Sequence, residues 1–312
     1  MKKIIILLTI VGVLTVSCSI QKLAVNMISD ALSESGNGTA LTGDEDPEFV
    51  GDALPFALKL YEILLEQNPE HQGLLLTSGM GFVMYANAYI QTPASMLPGE
   101  EYEKQEAMME RAKRMYLRGR NYVFRALEVA HPGFIEAIET DTYPDILPEM
   151  TEEDVPSLYW AAAGWFAAIS INIFDVGLTI DIEKAVALME RAYELDPDFG
   201  DGMIDDFYIL YYSSMPEGMG GSEEKARFHF ARVVELSEGN NPSPYVSLAT
   251  TLSIQKQDAE EFQDLLNSAL AVDIEQQPEN KLANIITQRK AQWYLDHIED
   301  FFLLDFDEPE DL

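Results

Sequence analysis

The sequence predicts an all-α protein built from paired helices that repeat along the chain. Three observations support this class. From Pro47 onward, apolar residues recur at helical spacing in long segments separated by short turns. No stretch alternates convincingly between apolar and polar residues with the period of two that a half-buried strand requires. A signature of small and large residues also recurs in order along the chain.

The first element is an N-terminal export signal. Met1, Lys2 and Lys3 form a short basic region, and residues 4–16 are mostly apolar, a length typical of a signal peptide and too short to cross a bilayer. The segment ends in LTVSC, with a small residue, Ser17, before the only cysteine, Cys18. We therefore predict cleavage after residue 17 and lipidation of Cys18, which would hold the mature protein on a membrane outside the cytoplasm.

The next elements are short. Residues 20–32 carry apolar side chains at helical spacing, which predicts a short helix. Residues 33–46 are rich in Ser, Gly, Thr and Asp and are interpreted as a linker. The predicted organisation is a signal peptide (1–17), a lipidated N-terminus with helix and linker (18–46), and a helical-repeat domain (47–312).

The repeats carry the spacing of tetratricopeptide helix pairs. In the second helix of such a pair, small residues allow close helix contact and a proline follows the helix. The best match is Ala185, Met189, Ala192 and Pro197. Four further helices match more loosely, at residues 57–69, 119–132, 226–233 and 262–269. Residues 75–82 and 160–164 match the first helix of a pair, and a nine-residue insertion follows the second of these, covering residues 175–181. Stacked pairs of this kind form a curved array with a concave surface, so we expect a groove or pore.

Composition excludes several functions. The net charge of −34 has the wrong sign for binding nucleic acid. The four histidines, His71, His131, His229 and His297, show no metal-ligand spacing and are interpreted as surface or turn residues. No phosphate loop, nucleophile elbow or zinc-protease motif is present. We expect no enzymatic activity, no metal and no cofactor.

A basic cluster interrupts the acidic chain. Residues 104–125 hold seven of its 20 basic residues. They could form a positive stripe for an acidic partner or an anionic ligand, or they could pair with neighbouring glutamates such as Glu106, Glu110 and Glu128. The second interpretation is favoured for the cluster as a whole.

Six residues are candidates for lining a pore or ligand site. Two are asparagines in otherwise apolar helices, where a buried amide either braces a helix contact or faces a cavity. The aromatic candidates come from two aromatic-rich stretches that suit either a core or the wall of a wet channel. The six candidates are Asn87, Arg118, Trp160, Asn172, Tyr208 and Tyr211. A Gly-rich loop at residues 214–222 is interpreted as either a partner contact or a connector.

Several segments resemble the T-component lipoproteins of TRAP (tripartite ATP-independent periplasmic) transporters. They are VGDALPF (50–56), residues 111–127 with YLRGR (116–120), WAAA (160–163), ALMERA (187–192), GGS (220–222), LAN (282–284) and QRKA (288–291). The resemblance covers essentially the whole mature chain. It implies a lipid-tethered helical-repeat protein that self-associates as a trimer, carries a pore through each protomer and meets the periplasmic solute-binding protein. It also implies passage of a hydrophobic or carboxylate-bearing ligand.

The predicted function is therefore that of a lipid-anchored periplasmic component of a TRAP-type uptake system. The alternative is a generic lipid-tethered helical-repeat adaptor in envelope assembly, which would use the same concave surface on another protein. Contact with a membrane is expected through the lipid anchor alone.

Overall fold

A computed structural model describes residues 27–30 and 39–303 of the 312-residue chain. Within these residues the secondary structure is helical throughout, with no strand. The predicted all-α class is confirmed. The predicted signal peptide, the lipidation site Cys18 and most of the predicted helix at residues 20–32 lie outside the described residues.

The first long helix begins at Pro47, where the sequence predicts the helical segments to start. In chain order the longer helices are α1 (Pro47–Gln67), α2 (Gln72–Ala86), α3 (Tyr102–Ala130), α4 (Val155–Ile171), α5 (Ile182–Leu195), α6 (Phe199–Ser214), α7 (Glu223–Leu236), α8 (Ser243–Leu248), α9 (Ala259–Ala271) and α10 (Lys281–Asp296). Short α-helical turns occupy Thr39–Thr42, Thr92–Ser95, Phe134–Glu139, Tyr143–Ile146, Val176–Thr179 and Ile254–Lys256. Short 3₁₀ turns occupy Gly99–Glu101, Leu147–Glu149, Glu152–Asp154, Glu217–Met219, Pro278–Asn280 and Ile298–Asp300.

The contacts divide the chain into two compact units. Among the described residues, unit 1 comprises 27–30, 48–89 and 109–188, and unit 2 comprises 39–47, 90–108 and 189–303. The sequence had predicted one repeat domain over 47–312, and those boundaries stay a prediction. Part of the predicted linker, residues 39–46, belongs to unit 2, where Glu45 pairs with Lys281 at 3.1 Å.

Most of the recurring signature residues are core residues. Ala185, Met189 and Ala192 are fully buried. Full burial also applies to Ala226, Val233, Phe262, Leu266, Ala269, Val123 and Ala126. A spacing of four and then three residues returns to one face of a helix, so the signature marks the face on which each helix packs.

Three glycines allow α2, α3 and α4 to approach closely in unit 1. A Cβ on Gly119 would lie 2.7 Å from the carbonyl oxygen of Gly79, and a Cβ on Gly79 would lie 2.8 Å from the carbonyl oxygen of Gly119. A Cβ on Gly164 would lie 2.8 Å from Val83 Cγ2. The small residues that the signature places at these positions therefore lie at helix contacts.

Two helices contain π-helical segments, at Asn87–Gln91 after α2 and at Ala249–Ser253 after α8. Such segments widen a helix locally and shift the side chains that follow. No helix in the described ranges combines the length and apolar character needed to cross a bilayer.

Candidate functional site

A cavity of about 620 Å³ opens in unit 1 between helices α3 and α4, the turn Phe134–Glu139 and the start of α5. This volume lies within the range typical of small-molecule sites. Its lining mixes aromatic, aliphatic and charged side chains: Arg120, Asn121, Phe124, Arg125, Ile135, Ile138, Glu139, Trp165, Asp181 and Lys184.

Arg120 is the most unusual group in this lining. Its guanidinium carbon lies 4.7 Å from the ring centroid of Trp165 and 5.2 Å from that of Phe124, so two aromatic rings flank the charge. Its Nε and Nη2 both donate to Asn121 Oδ1, at 3.1 and 2.9 Å. Within the described part of the chain, no carboxylate oxygen lies within 4.0 Å of the guanidinium.

Burial lowers the pKa of Arg120 to about 10, and the negative charge of Asp181 opposes this shift. The guanidinium therefore stays positively charged at neutral pH. Arg120 is half-buried, and it contacts two rings and one amide while Asp181 acts on it from a greater distance than an ion pair.

The aromatic wall is continuous with the core of unit 1. Trp165 and Phe134 each meet the ring of Phe124 edge to face, with centroids 5.4 Å apart in both pairs. Trp165 is only 2% exposed, and its indole Nε1 has no hydrogen-bond acceptor among the described residues. Buried N–H donors in native proteins are usually satisfied, so this wall keeps an unused donor.

The other two cations of the lining are already engaged. Lys184 Nζ lies 2.7 Å from Asp141, 3.0 Å from Asp181 and 3.0 Å from the carbonyl oxygen of Ile138. The hydrogen bond to Asp141 raises the pKa of Lys184. Arg125 donates to the carbonyl oxygen of Pro69 at 2.9 Å and lies over the ring of Tyr122.

Unit 2 contains a second group of deep polar side chains. Asp206 Oδ2 accepts a hydrogen bond from Ser243, while Oδ1 has no partner among the described residues. Burial raises the pKa of Asp206 and lowers that of Lys290, and each charge partly offsets the shift of the other. Asn284, 4% exposed, likewise leaves Nδ2 without an acceptor in the described ranges.

A sequence model of the family described as "TRAP transporter T-component" (TAtT) matches residues 43–302. The chain belongs to the TRAP transporter T-component family. It is also 34% identical over 305 residues to an uncharacterised protein of Treponema pallidum (strain Nichols), covering 93% of this chain and 94% of that protein. The resemblance predicted from the sequence is confirmed, and membership assigns the protein a transport role as a component of a TRAP system.

The candidate pore residues of this T-component lie in both units. Asn87, Arg118, Trp160 and Asn172 belong to unit 1, and Tyr208 and Tyr211 belong to unit 2. None of the six contributes to the lining of the cavity around Arg120. Their assignment to a pore stays a prediction.

Both asparagines differ from the expected buried amides, because both are exposed. Asn87 begins a π-helical segment, and its side chain forms a hydrogen bond with the hydroxyl of the buried Tyr116. Asn172 caps the C-terminus of α4, and its Oδ1 accepts from Phe174 N at 3.1 Å. The helix ends at Ile171, so Asn172 does not lie inside it.

The charged and aromatic candidates are held by their neighbours. Arg118 pairs with Glu62 and lies 4.7 Å above the ring centroid of Phe82. Trp160 is half-buried and meets Tyr159 edge to face.

The two candidate tyrosines pack into an aromatic group of unit 2. Tyr208 is 4% exposed and stacks on His229, with centroids 4.8 Å apart. Tyr211 stacks on Phe207. The expectation that all four histidines lie at surfaces or turns is wrong for His229, which is 7% exposed and lies 2.6 Å from Asp205. Among the described residues no group of side chains could hold a metal ion.

Arg120, Phe124 and Trp165 are the site residues that sequence reasoning did not single out. Arg120 was one member of the basic cluster, and Trp165 one member of an aromatic stretch. The available signal was the spacing of Arg120 and Phe124, four residues apart on one face of α3. No sequence pattern indicates that Trp165 of α4 meets them.

Proposed function

We propose that this T-component is a lipid-anchored periplasmic subunit that binds the solute-binding protein of its TRAP transporter and accepts a small organic ligand. The match to the family over residues 43–302 is the observation that carries the proposal. The cavity beside Arg120 supports the ligand-binding part, because its size and mixed lining suit a small molecule.

Exposed apolar side chains support a role in protein contacts. Phe49, Phe56 and Ile63 of α1 are 67%, 76% and 57% exposed and recur every seven residues along one face. Phe174, Val176 and Ile180 beside the turn Val176–Thr179 are 86%, 77% and 75% exposed. Exposed apolar groups of this kind are typical of protein interaction sites, and we propose that the protein uses them for self-association as a trimer and for partner binding.

The anchor is proposed from Cys18 and the signal that precedes it. A Cys18→Ala variant would lose the lipid, and we expect it to move from the membrane fraction to the soluble periplasmic fraction. A variant that stays with the membrane would contradict lipid anchoring through this residue.

The test of the partner is co-purification of the full-length lipidated protein with the solute-binding protein of the same transporter. We expect a complex at micromolar concentration, and a trimeric mass for the T-component by light scattering. A monomer that does not associate would overturn the proposal. Capture of other envelope proteins in place of the solute-binding protein would favour an adaptor in envelope assembly.

A further inference from the structure

Residues 27–30 belong to unit 1 and lie beside the turn between α1 and α2 (68–71). We propose that this contact, the N-terminal clasp, shortens the lipid tether and makes the α1–α2 turn the part of unit 1 that lies nearest the membrane. The membrane part of the inference rests on the proposed lipid anchor at Cys18. The clasp itself depends on described residues alone.

A hydrogen bond between Asp30 and His71 holds the clasp. His71 is the N-cap residue of α2, where its Nδ1 accepts from the backbone N–H of Leu74 at 3.1 Å. Because Nδ1 accepts, the ring proton is on Nε2, which lies 2.9 Å from Asp30 Oδ1 and donates to that carboxylate. The two ring nitrogens of His71 therefore join the start of α2 to the segment that leads to the lipid.

The burial of Ser29 is the second observation that supports the clasp. Ser29 is 0% exposed, whereas Met27 and Ile28 are 63% and 51% exposed. Residues 27–30 form a single helical turn, and such a turn cannot bury one of its own side chains completely. The segment therefore packs against the rest of unit 1 through the face that carries Ser29.

The clasp determines how far the tether reaches. Met27 is nine residues after Cys18, which allows a reach of at most about 32 Å in a fully extended chain. After residues 27–30 the next described residue is Thr39, in unit 2, and 21 residues from Cys18 would reach about 76 Å. The clasp thus cuts the reach by more than half, to about the length of α1, whose 21 residues span about 32 Å.

The short tether, rather than attraction to lipid, places the turn near the membrane. Glu66 and Glu70 beside the clasp are exposed and have the wrong charge for anionic headgroups. The bilayer excludes the protein body, so the point of attachment is on average nearer the lipid than other parts of unit 1. The α1–α2 turn is that point.

The first experiment tests the clasp without lipid, in Cys18→Ala protein with a spin label on Ile28→Cys. We expect a restricted electron paramagnetic resonance spectrum. Asp30→Lys removes the acceptor of the His71 proton, and Ser29→Tyr overfills a fully buried position, so each should give the spectrum of a mobile label.

Glu66→Lys is the matched control, because it makes the same change of charge as Asp30→Lys at an exposed position of α1. It should leave the spectrum of the label unchanged. Circular dichroism checks that each variant folds. The side chain of Asp30 is 63% exposed, so Asp30→Lys decides the question if Ser29→Tyr does not fold.

The second experiment measures energy transfer from lipidated protein to a headgroup-labelled lipid in phosphatidylcholine vesicles. Donor dyes are placed on Glu70→Cys at the turn and on Asp52→Cys, which is about 22 Å from the end of α1 along the helix axis. Lipidation consumes the thiol of Cys18, so the dye reacts with the introduced cysteine. We expect stronger transfer from position 70 than from position 52. Asp30→Lys should reduce transfer from position 70 by about half or more, because the reach of the tether more than doubles.

Each part of the inference has a result that would overturn it. A mobile label at position 28 in the otherwise unaltered Cys18→Ala protein, or a restricted label in Asp30→Lys and Ser29→Tyr, would refute the clasp. Equal transfer from positions 52 and 70, or transfer from position 70 that Asp30→Lys leaves unchanged, would refute the membrane-facing turn. Lipidated protein that does not float with vesicles would contradict the proposed anchor at Cys18, while the spin-label spectra would still decide the clasp.

Discussion

Replacing Gly119 by alanine tests whether close helix contacts through small residues stabilise unit 1. A Cβ at this position would lie 2.7 Å from the carbonyl oxygen of Gly79 and 2.8 Å from Val83 Cγ2. Separations below 3.0 Å essentially never occur for real Cβ atoms, so α2 and α3 must move apart. The obstructing oxygen is backbone and cannot rotate away.

The size of the effect follows from two opposing contributions. Overpacking a tight contact costs typically about 1–3 kcal/mol, and a backbone obstruction favours the upper part of that range. Alanine in a helix interior is favoured over glycine by about 1 kcal/mol. The expected net loss in the free energy of unfolding is about 1–2 kcal/mol, or a fall of roughly 2–8 °C in Tm.

The assay is thermal unfolding followed by circular dichroism, with three further variants that grade the contact. Gly79→Ala should cost about as much as Gly119→Ala, because its Cβ would also meet backbone. Gly164→Ala should cost less, because its closest obstruction is a valine methyl group. Gly99→Ala is the control, since nothing lies within 4 Å of its Cβ. Equal Tm values for Gly119→Ala and Gly99→Ala would refute the reasoning.

Three other predictions test particular groups, and two of them include a comparison variant. Burial raises the folded pKa of Asp206 above its unfolded value of about 3.9, so stability falls as the pH rises between the two values. The free energy of unfolding of Asp206→Asn, relative to that of the unaltered protein, should therefore increase as the pH rises above about 3.9. Urea titrations at several pH values measure this difference, and a difference that does not change with pH would contradict the prediction. In the Gly-rich loop, Gly221→Ala would place a Cβ 1.8 Å from a carbonyl oxygen and should lower the free energy of unfolding by about 2–3 kcal/mol, whereas Gly218→Ala should have almost no effect. Arg120→Met should change the free energy of unfolding by less than about 1 kcal/mol, because the loss of the ring contacts is offset by removal of a half-buried charge. Arg118→Met should cost more, because it breaks the ion pair with Glu62. A lower Tm for Arg120→Met than for Arg118→Met would count against the described pairing.

The helical core was predictable because it depends on spacing alone. The signature at Ala185, Met189 and Ala192 identifies a packing face without knowledge of the partner helix, and all three residues are buried. The helix start at Pro47 was predictable for a different reason, because proline suits the first turn of a helix.

Features that depend on local hydrogen bonds were not predictable. Neither a proline nor a glycine marks the end of α4, so Asn172 looked like an interior residue although it caps the helix. Asn87 starts a π-helical segment, a change in hydrogen-bond register that has no characteristic residue. Helical spacing predicts burial for apolar residues, so it does not predict burial of His229. In the structure His229 is buried and lies 2.6 Å from Asp205, a partner that the spacing does not reveal.

The basic cluster shows why charge counts along a sequence do not identify a site. Arg118 and Arg120 are two residues apart on α3, so their side chains leave the helix about 200° apart. Arg118 meets Glu62, which is 56 positions earlier in the chain, and its charge is neutralised. Arg120 meets Trp165 and Phe124 and retains its charge in a cavity. Pairing with a nearby glutamate holds for Lys113, whose Nζ lies 2.7 Å from Glu110. Arg118 instead pairs with a glutamate that is distant in the sequence, and Arg120 lies between two aromatic rings in a cavity that Asp181 also lines.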